Sequence, residues 1–169
     1  KIVFDAASRN QFSFTREILQ GKKDEYNIMG YEHKEFFTRI DSIENYYLAN
    51  KMLLDTKKRN ALFKKEMPIY TKIGDNGPVK YGLESNIKDS LIADGCVIEG
   101  TVENSILFRG VKVGKGTVVK NSVLLQGTQI GNNASVTSII TDKNVEISDE
   151  KVLTGSETYP LYIGKNGKI

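Results

Sequence analysis

The chain has 169 residues, enough for one large or two small domains, and its 39% hydrophobic and 27% charged residues are usual for a soluble globular protein. Its net charge of +3 comes from scattered lysines without the clustered basic face that nucleic-acid binding requires. No apolar run approaches the roughly 20 residues of a membrane-spanning helix, and the single cysteine, Cys96, excludes an internal disulfide and fits a reducing cytoplasm.

Residues 1–60 are predicted to contain short helices and strands. The predicted elements are a strand-like run over Lys1–Phe4, a helix over Gln11–Gln20, and strands over Tyr26–Tyr31 and Phe36–Ile40. The sequence starts on an apolar run without methionine, so we expect it to be a segment of a longer protein. Elements of this size are too few for an independent core, so their apolar surface is expected to pack on a missing part of that domain or on the region that follows.

A further helix is predicted to begin at Asp41, which suits an N-cap, with Glu44 three residues later completing a capping box. Helical spacing predicts a buried face that consists of Ile43, Tyr46, Tyr47, Leu53 and Leu54. Three cations then follow where positive charge favours a helix C-terminus, namely Lys57, Lys58 and Arg59.

Residues 61–85 are predicted to connect two parts of the chain. One or two helical turns over Ala61–Glu66 are expected to stop at Pro68, and Gly74–Pro78 is typical of a loop. Tyr81 and Gly82 then lead into the first coil of a repetitive region.

The region from Ile92 to Ile147 repeats itself. Val102–Val118 aligns position by position with the segment that directly follows it, Val119–Ser135, and a fixed period of this length indicates a solenoid. A six-residue unit of an aliphatic residue, glycine, two polar residues and a small residue recurs inside the period, as in Val113–Val118.

Small and large side chains in this region stand two positions apart, so both point to the same face of a short strand. Strands of 6, 6 and 5 residues then close one triangular coil, with Asn-Ser corners at 104–105 and 121–122. Stacking such coils buries their inner faces, which predicts a mainly β fold, a parallel β-helix over residues 86–169 that ends in an irregular cap and a short strand. The small inward positions are Cys96, Ser105, Val111, Thr117, Ser122, Thr128, Ala134 and Val145.

Five runs of the sequence carry a resemblance to a known family: Ser42–Asn50, Pro68–Lys72, Lys80–Gly82, Asn86–Ser90 and Ser90–Thr128. The last four resemble the C-terminal part of bacterial glucose-1-phosphate adenylyltransferase, also called ADP-glucose pyrophosphorylase. The first resembles the last helix of that family's nucleotidyltransferase domain. The resemblance implies a left-handed β-helix of hexapeptide repeats, preceded in residues 1–60 by a small α/β remnant of a Rossmann-like domain.

The same resemblance implies a role in glycogen biosynthesis. Members of this family are cytoplasmic and usually tetrameric, and they make ADP-glucose from ATP and glucose 1-phosphate with Mg²⁺. The glycine-rich nucleotide loop and the sugar-phosphate segments of the family are absent from this segment. We therefore assign it no catalytic residue, metal or cofactor, and expect ATP and Mg²⁺ only in a catalytic subunit.

One departure from the family pattern implies a regulatory subunit. Catalytic members carry Gly-Tyr-Trp-x-Asp-Val-Gly-Thr before the last helix, and the aligned residues Glu35–Ser42 place Arg39 where an Asp helps to hold metal and sugar phosphate. A guanidinium cannot ligate Mg²⁺, which takes oxygen ligands. Together with Gly155–Pro160, this resembles the regulatory subunit found beside the catalytic one in Gram-positive bacteria, so we expect homo-oligomers and hetero-oligomers with a catalytic adenylyltransferase subunit.

Effector binding and assembly are the expected functions of such a segment. Family effectors are phosphorylated metabolites bound near the domain junction, and phosphate requires Arg or Lys donors. The candidates here are Lys64, Lys65, Lys72, Lys80 and Arg109, for each of which an ordinary solvated side chain is the alternative. Phe108 and Leu125 are predicted to point outward, where they form a subunit interface or lie under a docked N-terminal segment.

Three alternative functions stay open from the sequence. The parent protein is an active adenylyltransferase if a shifted ligand replaces the lost Asp and Arg39 is a surface residue, or it is a nucleotidyltransferase specific for another sugar phosphate. A hexapeptide-repeat acyltransferase is a more remote alternative, because those enzymes use a histidine in or near the coils as general base. The one histidine of this chain, His33, lies in the N-terminal segment, where an exposed loop position is expected.

Overall fold

The computed structural model describes residues 2–34, 37–71 and 74–169. The chain divides into two compact units, residues 1–35 and 36–169, which are described in turn. This division follows packing, whereas the predicted boundaries after residues 60 and 85 follow sequence relationship and stay predictions. No helix in the described ranges is long and apolar enough to cross a membrane.

The first unit contains helix α1 (Ile2–Ser8) and a π-helix (Phe14–Gln20) that begins at the N-cap Ser13. The strand predicted over Lys1–Phe4 is therefore wrong for Ile2–Phe4, while Lys1 lies outside the described residues. The carboxylate of Asp5 supports the end of this helix, because it forms an ion pair with Arg9 one turn later at 3.2 Å.

The predicted strand Tyr26–Tyr31 is also wrong. This stretch has no regular strand structure, and Tyr31 is 90% exposed. Within the described part of this unit no second strand is available to pair with it, so the backbone has no ladder to join. A partly buried ion pair in this unit links Lys22 to Asp5 at 2.8 Å, and this hydrogen bond raises the pKa of the lysine.

The second unit opens with helix α2 (Ile43–Met52), whose N-cap is Ser42 and not the predicted Asp41. The Ser42 hydroxyl accepts a hydrogen bond from the backbone N–H of Asn45 at 3.0 Å. Asp41 is not at the cap because its carboxylate accepts from the Asn45 side chain at 2.6 Å. Of the predicted buried face, Tyr47 is buried but Ile43 is 49% exposed.

Helix α3 (Thr56–Leu62) corrects a second prediction about this region. Lys57 and Lys58 do not end α2, because their backbone N–H groups donate to the Asp55 carboxylate, which caps α3 at its start. Arg59 lies in the last turn of α3. The predicted strand Phe36–Ile40 is wrong for residues 37–40, which have no regular structure, and Phe36 lies outside the described residues. The described part of residues 1–60 is thus helical rather than α/β.

The remainder of the unit is a left-handed parallel β-helix, as predicted. Every third strand pairs in parallel, which gives three five-stranded sheets in the orders β1-β4-β7-β10-β13, β14-β11-β8-β5-β2 and β15-β12-β9-β6-β3. The strands are β1 (Lys80–Tyr81), β2 (Asn86–Lys88), β3 (Leu91–Ile92), β4 (Val97–Ile98), β5 (Thr101–Glu103), β6 (Ile106–Leu107), β7 (Lys112–Val113), β8 (Val118–Lys120), β9 (Val123–Leu124), β10 (Gln129–Ile130), β11 (Ser135–Thr137), β12 (Ile139–Thr141), β13 (Glu146–Ile147), β14 (Val152–Thr154) and β15 (Leu161–Ile163).

The strand register confirms the predicted period. Lys112 pairs with Gln129, and Gln129 pairs with Glu146, so each partner lies one full period further along the chain. One coil is shorter than the period, since Val97 already pairs with Lys112. One coil is longer than the period, since Ile139 pairs only with Leu161. The predicted cap is therefore an insertion over residues 156–160 within a coil that still adds β14 and β15 to the stack.

The predicted inward positions form the core, and every small one is buried. Cys96 is fully buried, its thiol donates to the Phe108 carbonyl at 3.2 Å, and burial raises its pKa. The buried hydroxyls connect successive coils, because Ser105 Oγ accepts from the Ser122 N–H at 3.0 Å and Ser122 Oγ accepts from the Ile139 N–H at 3.3 Å. These inward serines satisfy backbone donors that the short strands leave unpaired.

Asn104 and Asn121 occupy equivalent corners, as predicted. Both have φ of 48°, a left-handed conformation that asparagine tolerates better than most residues. Their side chains stack, and the Asn104 amide donates to the Asn121 amide oxygen at 2.7 Å. This leaves the backbone carbonyls of the corners available to other elements.

Candidate functional site

Helix α2 packs on the outer face of the sheet that contains β9 and β12. Tyr47 is 1% exposed and contacts Val123 and Ile140, with Tyr46 partly buried beside them. Ile106, Val123 and Ile140 are paired along this sheet and form an outward apolar row. The row explains why the helix lies here, because it supplies the surface on which the aromatic face of α2 is buried.

Two polar side chains fix α2 to the corners of successive coils. The Tyr47 hydroxyl donates to the Asn121 carbonyl oxygen at 2.6 Å, and Lys51 Nζ donates to the Asn104 carbonyl oxygen. Burial raises the pKa of Tyr47 and lowers that of Lys51. The negative charge of Glu157, in the insertion, opposes the second shift and adds to the first. The helix, the coils and the insertion therefore form one electrostatically coupled surface, which we call the α2 seat (Tyr47, Lys51, Asn104, Asn121 and Glu157).

The predicted interface pair lies near this seat. Leu125 is half-buried in an apolar groove that Ile40, Tyr46 and Tyr162 also line, so the start of α2 and the segment before it cover part of the outward row. Phe108 is 37% exposed. Coverage by a preceding segment therefore explains the outward position of Leu125 better than that of Phe108. A role in a subunit interface stays a prediction for both residues.

Arg39 lies in the extended segment that leads into α2. Its side chain is 78% exposed, and its Nε is 3.0 Å from a carboxylate oxygen of Asp41. The other carboxylate oxygen of Asp41 accepts from Asn45. The Asp41 carboxylate, two residues from the position where the family resemblance requires a metal ligand, is therefore paired with a cation and an amide, so Arg39 and Asp41 do not fit Mg²⁺.

Arg109 is the candidate phosphate ligand that lies beside the loop at residues 74–78. A methyl group on Gly74 would lie 3.4 Å from Arg109 Nη1 and 2.9 Å from the side-chain nitrogen of Asn76. The loop is held on the stack, because the Gly95 N–H donates to the Gly77 carbonyl at 2.7 Å. Arg109 therefore lies against the end of the predicted connector.

The other predicted site residues are more dispersed. Lys80 is an exposed residue of β1, the strand that follows the loop at residues 74–78. Lys64 is half-buried and Lys65 exposed, both shortly after α3, and Lys72 lies outside the described residues. His33 is an exposed residue of the first unit. The structure brings Arg109 to the loop but gives Lys65 and Lys80 exposed positions in separate segments.

Sequence reasoning missed Lys51 and Asn76. Lys51 follows Tyr47 by four residues on a predicted helix, so the spacing places both on one face, but a lysine there is typical of an exposed position. Asn76 stands in a predicted loop, and nothing in the sequence indicates that Arg109 lies near it.

Comparisons with known proteins support the hexapeptide-repeat fold and identify relatives of the chain. Residues 79–158 match a family model described as GlmU-like, C-terminal hexapeptide. The chain is 45% identical over 158 residues to the glycogen biosynthesis protein GlgD of Bacillus subtilis (strain 168), an alignment that covers 94% of this chain and 46% of that protein. It is 63% identical over 67 residues to GlgD of Geobacillus stearothermophilus, which covers 40% of this chain and 20% of that protein.

A third relative carries an enzyme's name. The chain is 37% identical over 103 residues to the glucose-1-phosphate adenylyltransferase of Geobacillus stearothermophilus, which covers 60% of this chain and 26% of that protein. The chain thus spans less than half the length of each of these relatives. The resemblance to the C-terminal part of the glucose-1-phosphate adenylyltransferase family is confirmed, and the chain is a relative of the GlgD glycogen biosynthesis proteins that carries a hexapeptide-repeat β-helix.

Proposed function

We propose that this chain is the assembly and regulatory part of a GlgD-like subunit that acts with a catalytic glucose-1-phosphate adenylyltransferase in cytoplasmic glycogen biosynthesis. In the intact assembly ATP and glucose 1-phosphate give ADP-glucose and diphosphate, and that chemistry belongs to the partner subunit. The observation that carries the proposal is the ion pair of Arg39 and Asp41, 3.0 Å apart, at the position where catalytic members of the family have a metal-ligating Asp.

The Arg39–Asp41 pair opposes metal binding in two ways. Arg39 adds a positive charge that repels a divalent cation, and it occupies one oxygen of the neighbouring carboxylate. Mg²⁺ would have to displace this pair and then bind a single carboxylate, whereas it binds best with near-octahedral oxygen ligation. We therefore assign neither Mg²⁺ nor ATP to this segment.

The α2 seat supports a role in transmitting an effector signal from the β-helix to the segment before α2. Arg39 and Asp41 precede α2 directly, and α2 is held on the β-helix by Tyr47 and Lys51. A displacement of the coils therefore moves the segment that carries Arg39. The proposed effector is a phosphorylated metabolite that binds at Arg109 and the loop at residues 74–78. The further ligands are Lys80, or Lys64, Lys65 and Lys72 of the connector.

The activity experiment uses the full-length protein, the catalytic adenylyltransferase of the same organism, and their mixture, each assayed for ADP-glucose. We expect no turnover from the full-length protein alone and a changed rate or effector response in the mixture. Turnover by the protein alone at the level of the catalytic subunit would disprove the regulatory role. Arg39→Lys is the matched variant that keeps the charge, and it should behave as wild type.

The effector experiment measures the mixture's response to phosphorylated metabolites. Arg109→Ala should raise the effector concentration needed for half-maximal response about tenfold, which corresponds to the loss of one charge-assisted hydrogen bond. Lys80→Ala and Lys72→Ala test the neighbouring candidates, and Lys165→Ala, an exposed lysine near the C-terminal end, is the control. An unchanged response in Arg109→Ala would exclude this residue as an effector ligand.

The assembly role has a test of its own. Phe108→Asp places a charge in the proposed interface without touching the groove beside α2, whereas Leu125→Asp alters both. A lower oligomer mass by light scattering in Phe108→Asp would support the interface, and an unchanged mass would reject it.

A further inference from the structure

We propose that Asn76 is a site of spontaneous deamidation and that its product places a carboxylate beside Arg109. In this reaction the backbone nitrogen of Gly77 bonds to the side-chain carbonyl carbon of Asn76, and ammonia leaves with the Gly77 amide proton. Water then opens the resulting succinimide at either carbonyl, which yields aspartate or isoaspartate. Neither an oxidant nor a cofactor is needed, and the inference does not depend on the proposed function.

The local structure at Asn76 meets the requirements of this reaction. Asn76 and Gly77 are exposed, so water reaches both. None of the described residues accepts a hydrogen bond from the Gly77 N–H, so the attacking nitrogen is not held in place by a backbone partner. A methyl group on Gly77 would meet nothing within 4 Å, so the attacking residue is not crowded at its own Cα.

The chain contains a second Asn-Gly pair, Asn166-Gly167, that serves as an internal comparison. Here the Gly167 N–H donates to the Gly164 carbonyl at 3.0 Å, and the Asn166 N–H donates to the Lys143 carbonyl at 2.9 Å. The Asn166 side-chain oxygen also accepts from Asn144 at 3.5 Å. Attack by Gly167 would have to break the first of these bonds, so the same dipeptide is protected at this position.

The consequence of deamidation follows from the position of Arg109. The side-chain nitrogen of Asn76 and Nη1 of Arg109 lie 2.9 and 3.4 Å from the same point, the position of a methyl group on Gly74. An aspartate has the shape of the asparagine it replaces, so its negative charge would stand within interaction range of the guanidinium. The product therefore has a weaker positive potential at this corner of the β-helix, whatever anion the corner binds.

The test is incubation of the full-length protein in mildly alkaline buffer, followed by peptide mapping that separates asparagine, aspartate and isoaspartate. We expect conversion at Asn76 to be at least about fivefold faster than at Asn166, because the Gly167 hydrogen bond must break first. Gly77→Ala should lose most of the conversion, since a methyl group hinders the attacking nitrogen while the folded loop has room for it. Equal rates at the two sites, or an unchanged rate in Gly77→Ala, would overturn the proposal.

A second measurement addresses the charge. Asn76→Asp mimics the aspartate product, and Asn76→Gln is the control because its longer side chain does not form the five-membered ring. The guanidinium resonance of Arg109 should shift in Asn76→Asp and keep its wild-type position in Asn76→Gln. No shift in Asn76→Asp would show that the product carboxylate does not reach Arg109.

Discussion

The β-helix and the first unit use apolar residues in different ways. In the coils the large inward side chains are almost fully buried, as Ile98 and Leu124 are at 0% exposure. In residues 2–34 most aromatic and aliphatic residues face solvent, as Val3 does at 73% and Phe4 at 85%, although Ile18 is buried. Both regions are rich in such residues, so the comparison shows that regular placement along the chain, rather than hydrophobic content, creates a core.

The largest expected difference between the two regions is in truncation of an apolar side chain. Leu124→Ala should lower the free energy of unfolding by about 2–5 kcal/mol, because it opens a cavity in a packed core. Phe4→Ala removes a larger side chain from the first unit and should change that free energy by less than about 0.5 kcal/mol. Urea unfolding of both variants measures the effect, and equal losses would contradict the contrast between the regions.

A buried hydroxyl offers the second test. Ser122→Ala leaves the Ile139 N–H without its acceptor inside the stack and should lower the free energy of unfolding by about 1–3 kcal/mol. The matched change in the first unit is Ser8→Ala, whose exposed hydroxyl donates to the Asp5 carbonyl at 2.8 Å. Thermal and urea unfolding should show little change for Ser8→Ala, and a neutral Ser122→Ala would exclude the hydroxyl link between coils.

A pH series tests the α2 seat. The folded pKa of Tyr47 is raised by burial above the ordinary value of 10.0, so the unfolded chain loses this proton first as pH rises. The stability contributed by Tyr47 is therefore complete below about pH 10 and declines above it. Tyr47→Phe should show a shallower alkaline decline in unfolding free energy. Tyr31→Phe, at the 90% exposed tyrosine of the first unit, should follow wild type, and identical slopes in all three proteins would contradict the effect of burial.

The smallest expected effect concerns charge on the outer face of the coils. Glu103 lies 3.2 Å from Lys120 and 4.0 Å from Lys88, all on partly exposed side chains. Glu103→Ala should cost at most about 1 kcal/mol and less at high salt, because solvent and ions screen such pairs. Glu146→Ala, which removes the exposed pair with Lys168, is a control of the same kind. A salt-independent loss as large as that of Leu124→Ala would contradict the expectation that the outer face contributes less to stability than the core.

The β-helix could be predicted in detail because the repeat period determines which residues of successive coils stack on each other. An inward residue such as Val119 recurs with its small neighbour two positions before, and the strand alternation then decides which face is buried. The same reasoning could not predict that the buried hydroxyls accept hydrogen bonds from the next coil. Any small residue fits the inward position of Ser122, whether or not it has an oxygen that accepts a hydrogen bond.

The N-terminal half was predicted less well for a physical reason. The short apolar runs Ile2–Phe4 and Tyr26–Tyr31 have no repeating partner, and local propensity alone does not separate strand from helix over so few residues. Ser42 rather than Asp41 is the N-cap, while Arg39 and Asn45 each engage one oxygen of the Asp41 carboxylate, and spacing does not specify these contacts. Arg109 was named as a candidate ligand, but its proximity to Asn76 required the folded coil.

The longest coil, in which Ile139 pairs with Leu161, affects how this protein folds and how well it tolerates insertions. Each strand pairs with one a short distance away along the chain, and this distance varies little between coils, so the ordering entropy for adding a coil is nearly the same at every level of the stack. Extending that distance from the spacing of Gln129 and Glu146 to the spacing of Ile139 and Leu161 increases the loop-closure cost by only about 0.2 kcal/mol. Insertions at coil corners are thus thermodynamically close to neutral, and the folding rate should depend little on whether residues 156–160 are present.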